Sequence, residues 1–139
     1  MKDNGIKPQS LLSILWIFVL LNMIFRDLHQ FLSKGFIDQL INSNIPEAHM
    51  LLFGVILEIP ILMVVLSKVF HPKANKWANI LAVCITAMGI FYSGASADLD
   101  DIFFGLVEIV ALLIILRTAF QLPASLKLAS SQLSPNSKK

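Results

Sequence analysis

The chain has 139 residues, 56% of them hydrophobic and only 14% charged, with a mean hydropathy of +0.75. A soluble domain usually carries roughly a quarter charged residues and arranges its apolar positions in stripes, not long runs, so an ordinary water-soluble fold is excluded. The net charge of +2 comes with no basic patch that would hold nucleic acid, and the single cysteine, Cys84, excludes an intramolecular disulfide, a CxxC pair and a thiolate metal cluster.

Four apolar segments follow in chain order. The first, about residues 9–25, holds no charge between Gln9 and Phe25. Lys2 and Lys7 precede it as in a signal peptide, but Arg26 follows with no small-residue cleavage site, so it reads as an uncleaved first span. In the loop Arg26–His49, Leu28, Phe31, Leu32, Phe36, Leu40 and Ile41 recur at helical spacing around Asp27, Lys34 and Asp38. This predicts an amphipathic helix, lying on the outer interface or capping the helices, with Gly35 as a candidate break and 42–46 as a turn. The second span, about 50–70, carries Glu58, Ser67 and Lys68. A loop over 71–76 follows, with Pro72 ending the helix and Trp77 at interface depth. The third span, about 77–97, is uncharged; the fourth, about 102–122, carries Glu108 and Arg117. At about 1.5 Å rise per residue a span needs about 20 apolar residues, and all four segments qualify. The expected fold is an all-α integral membrane four-helix bundle over residues 1–129, with a disordered cytoplasmic tail at 130–139 that is rich in Ser and Lys.

Orientation follows from the cations. Nine of the Lys and Arg residues fall on the side of the two termini and the 71–76 loop, against Arg26 and Lys34 on the other. Both termini are therefore expected in the cytoplasm, and the protein in the cell membrane.

An ionisable group within a span costs about 2.5–3.5 kcal/mol to insert and is a functional candidate by default. Glu58 and Glu108 lie near the middle of the second and fourth spans, which run in the same direction, so their carboxyls share a depth. No other Lys or Arg is expected at that depth. If the two helices adjoin, the pair shares a proton, and at least one Glu is expected to be protonated at neutral pH. The other reading is structural: a carboxyl as polar glue, with Gly54 and Gly105 on the same faces allowing close helix approach. Pro60, two residues after Glu58, removes an amide from the second helix beside the acid. Asn22 and Thr86 are expected to hydrogen-bond neighbouring helices, and Asp27 stands at the outer edge of the first span. The three histidines are scattered over opposite sides with no metal-ligand spacing, and no cofactor motif is present. A faint repeat relates Phe53-Gly54 and Glu58-Ile59 to Phe104-Gly105 and Glu108-Ile109.

Leu15 to Val19 with Asn22 and Asp27, Leu57-Glu58-Ile59-Pro60, Ala74-Asn75-Lys76-Trp77-Ala78-Asn79-Ile80 and Phe103-Phe104 through Glu108-Ile109 together resemble a family of small bacterial four-span membrane proteins known only as a domain of unknown function. The likeness covers roughly Leu11 to Phe120; the first outer loop, and Arg26 in particular, depart from the pattern. The resemblance implies the four-helix fold and draws attention to Asn22, Asp27, Glu58, Trp77, Asn79 and Glu108, without implying an activity. A looser likeness to DoxX-type membrane proteins rests on size and topology.

Two functional expectations follow. One is a membrane carrier or ligand-binding protein with a protonatable site at Glu58 and Glu108, lined by Asn22 and Asp27, and at least dimeric because four helices leave little room for a solute. The other is a non-catalytic accessory or assembly subunit whose acids fasten helices, with Pro60, Trp77 and Asn79 as structural positions. Membrane enzymology finds no nucleophile or metal site to support it.

Overall fold

A computed structural model describes residues 6–93 and 99–132, with side chains described up to 91 in the first stretch and up to 122 in the second. Every element among them is a helix: α1 Pro8–Phe31, α2 Phe36–Asn42, α3 Glu47–Val69, α4 Pro72–Ser93 and α5 Leu99–Gln132. Three are long and apolar enough to cross a membrane, over Pro8–Phe31, Glu47–Val69 and Pro72–Phe91.

Prolines set several of the boundaries. Pro8 opens α1 and Pro72 opens α4, where the missing N–H is one the first turn could not use and the fixed φ already suits a helix. Residues 71–76 are therefore not a loop: only Phe70 and His71 separate α3 from α4. Pro72 starts the following helix instead of merely ending the preceding one. At the other end, α1 runs on through Arg26 to Phe31, so the first half of the expected outer-loop helix is a continuation of α1. Gly35, at φ +84°, breaks the chain as anticipated and leaves α2 with no buried residue. The fourth helix does not stop at 122; its backbone stays helical past Pro123 to Gln132. Residues 130–132 of the expected tail are thus helical, and residues 133–139, like 94–98 of the second outer loop, lie outside the described residues.

The four long helices pack in a closed circuit. α1 lies against α3 and α5, and α4 against the same two, while α3 and α5 face each other across the diagonal without packing. Each buried seam follows steps of three and four residues, the spacing that seats side chains between neighbouring helices. On α1 the seam reads Leu12, Trp16, Val19, Met23, Arg26; on α5 it includes Glu108, Leu112, Ile115, Ala119 and Leu122. The core is mostly aliphatic, with Met63 from α3 and Ala82, Val83 and Ile90 from α4. Expected close approach at Gly54 and Gly105 is absent, since a Cβ on either would meet nothing within 4 Å. Gly89 is where α4 closes on α3: a Cβ there would lie 2.8 Å from Ile56 Cγ2.

Candidate functional site

Two polar layers interrupt the apolar interior. The first lies at the end where α1 begins and α3 ends. The Trp16 indole N–H donates to Asn79 Oδ1 at 2.7 Å, and the Asn79 amide donates to Asn75 Oδ1 at 2.6 Å and to the Asn75 carbonyl at 2.8 Å. Asn75 in turn donates to the Ser67 carbonyl at 2.6 Å, and Ser13 to the Val64 carbonyl at 2.7 Å. Carbonyls in the last turn of a helix have no amide of their own, and Asn75 from the next helix supplies one to α3. Trp16, Asn75 and Asn79 are all fully buried, so this layer ties α1 to α4 across the diagonal and α4 to α3. It reads as a fastening: Trp16, Ser13 and the two asparagines donate within it, while the buried Ser67 hydroxyl has no hydrogen-bond partner among the described residues.

The second layer lies about two turns further along α1, where Asn22, Arg26 and Gln30 recur every four residues and so share one face. That face meets the first turns of α5. Arg26 Nη1 donates to Glu108 Oε2 at 3.2 Å, and Asn22 Nδ2 donates to Glu108 Oε1 at 3.2 Å and to the Phe104 carbonyl at 3.1 Å. Glu108 is wholly buried and Arg26 is 6% exposed. Nearer the end of the helices, Gln30 donates to Asp101 Oδ1 at 2.9 Å, and His29 Nδ1 lies 2.7 Å from Asp100 Oδ2. Desolvation pushes the Asp100 carboxyl up, but backbone amides in the first turn of α5 and the His29 ring outweigh it and hold the carboxyl below its ordinary range. Removing a carboxylate from water is costly, and the Arg26 guanidinium with the Asn22 amide gives Glu108 charge-assisted partners on both oxygens.

Two openings reach this layer. A cavity of about 220 Å³ is lined by Arg26 and Asp101 with Ile90, Phe91 and Leu106. A groove of about 450 Å³ on the other side is lined by Asn22, His29, Phe25 and Phe104. Asp27 stands exposed on α1 beside them. The mouth of the site is therefore acidic, with Asp27, Asp100 and Asp101 near Arg26 and His29, and its field favours protons and cations over anions. Among the described residues no cluster has the composition of a metal site.

The structure brings together Asn22 and Glu108 of the candidate residues and sets Asp27 at the rim. Glu58 is elsewhere, exposed on α3, whose lack of contact with α5 keeps the two acids from sharing a proton within one chain. Pro60 is buried among the helices; Asn79 is the centre of the other polar layer; Trp77 is 69% exposed and touches neither. Thr86 is buried, but its hydroxyl has no hydrogen-bond partner among the described residues, contrary to expectation. The expectation of no cation at the depth of the acids is overturned by Arg26. A span ended at its first charge hides this residue, whereas the step from Leu12 to Trp16, Val19 and Met23 reaches Arg26 next.

A family model, that of a family of unknown function (DUF6326), matches residues 3–125. No curated protein and no solved structure matches the chain.

Proposed function

The chain belongs to the DUF6326 family, whose function is unknown, and we propose that it is a four-span membrane carrier or ligand-binding protein that works by protonation of Glu108. The fourth span is α5, over about residues 102–122, and both termini lie in the cytoplasm. The lysine asymmetry supports this orientation. With Arg26 withdrawn into the interior, Lys34 is the one remaining Lys or Arg of the first outer loop, which sharpens the bias.

The observation that carries the reading is a wholly buried Glu108 held by Arg26 and Asn22, with a cavity lined by Arg26 and Asp101 beside it. A proton arriving through the acidic mouth neutralises the carboxylate and weakens its ion pair with Arg26. The balance of contacts around the guanidinium then shifts away from Glu108, toward water or a ligand. A buried pair that loses one charge becomes unstable as packed, so protonation is coupled to a rearrangement of α1 against α5. This is the elementary step a proton-coupled carrier needs.

Liposomes loaded with a pH-sensitive dye and given a potassium diffusion potential test it. Wild-type protein is expected to raise proton flux above that of empty liposomes, and Glu108→Gln to lower it at least tenfold while eluting from a sizing column as wild type does. Flux equal to that of empty liposomes, or unchanged in Glu108→Gln, contradicts the reading.

One observation favours the accessory-subunit reading: both Glu108 oxygens are already occupied within the chain. On that reading the layer is glue, and Glu108→Gln leaves assembly and function intact.

A further inference from the structure

Glu58 is the acid that the site does not use. It stands exposed near the middle of α3 and makes no hydrogen bond or ion pair with another described residue. α3 turns Pro60, Met63 and Ser67 toward its neighbours α1 and α4. Its other side carries Leu51, Val55, Glu58, Leu62, Val65 and Val69, all exposed and separated by alternating steps of four and three residues. Gly54 lies one turn before Glu58, with open space where a Cβ would be. α2 cannot cover this seam, because it packs only against α1.

We propose that this seam is the contact between two copies of the chain, in which the two Glu58 side chains hydrogen-bond to each other. Acyl chains offer a carboxyl no donor, so a seam covered by lipid would leave Glu58 unsatisfied at the depth where that is most costly. A second copy supplies the missing partner by symmetry alone. A twofold axis along the membrane normal keeps every residue at its own depth, so Glu58 meets Glu58, one carboxyl donating its O–H to the other. Alternating steps of three and four are the spacing at which parallel helices interlock, and a single polar residue among apolar ones fixes their register. The open Cβ position at Gly54 allows the backbones to approach beside the acids. The inference rests on the reading of α3 as a membrane span, and is independent of whether Glu108 carries protons.

Cross-linking in membranes tests the contact. Val55→Cys and Leu62→Cys are made separately in a Cys84→Ala background and oxidised with copper phenanthroline. Most of the chain at either position is expected to run as a disulfide-linked dimer, while Phe18→Cys, on the exposed side of α1, stays monomeric. Adding Glu58→Leu is expected to lower the dimer fraction several-fold, and adding Glu58→Gln to preserve it. Cross-linking at 55 and 62 no greater than at 18, links only to other proteins, or a dimer fraction untouched by Glu58→Leu overturns the proposal. Because these readouts do not involve Glu108, they stand or fall apart from the flux measurement.

Discussion

At the scale of single residues, the interior is governed by what each polar group needs once water is gone. Removing Arg26 takes the guanidinium away from the buried Glu108 carboxylate, and removing Glu108 takes that carboxylate away from the buried Arg26. Either single change, Arg26→Leu or Glu108→Leu, is expected to cost about 3–5 kcal/mol in thermal unfolding in detergent. The double change to leucine is expected to recover part of that loss, because neither member of the pair is left buried without the other. Equal damage from the double and the singles would mean that the two groups do not act as a pair. Trp16 poses a smaller question of the same kind. Trp16→Phe removes the N–H that Asn79 Oδ1 accepts, and leaving that oxygen buried without its donor is expected to cost about 1–3 kcal/mol by the same measurement. The acids and amides themselves were legible in the sequence, since a charged or amide side chain within an apolar run stands out. Their partners were not, because spacing along one helix says nothing of which neighbour it faces.

At the scale of the helices, composition predicts existence better than ends. The expected spans fall within α1, α3 and α5 or within a residue of them, yet α1 and α5 both outrun their spans, and α4 begins five residues before the expected 77. Hydropathy marks the stretch that suits lipid, whereas a helix continues for as long as its backbone can pair its hydrogen bonds. Pro72 and Pro123 show why proline alone is an ambiguous signal: the first opens a helix and the second sits within one. Close packing was still less legible. Gly54 and Gly105 caught attention by lying near acids, while Gly89 is the glycine against which α3 presses. Gly89→Ala places a methyl group against Ile56 and is expected to destabilise by about 1–3 kcal/mol through overpacking, with Gly105→Ala close to neutral as its control. A similar unfolding temperature for the two variants would show that the α3–α4 contact yields without strain.

At the scale of the whole molecule, the closed circuit explains why Glu58 and Glu108 have separate fates. α3 and α5 do not pack together, so the acid on α5 is enclosed by α1 while the acid on α3 looks outward. A sequence can place both at the same height, but it cannot say which helices adjoin or which face of each turns inward. The proposed four-span path is what would make these polar layers costly, because lipid offers them no polar partner. Single cysteines at Lys7, Lys34, Lys73 and Leu99, all exposed, report it in a Cys84→Ala background. With a membrane-impermeant maleimide on intact cells, positions 34 and 99 are predicted to label at once, and positions 7 and 73 only after permeabilisation. Labelling of position 73 in intact cells, or protection of position 99, would contradict the proposed alternating path through the membrane and the carrier reading built on it.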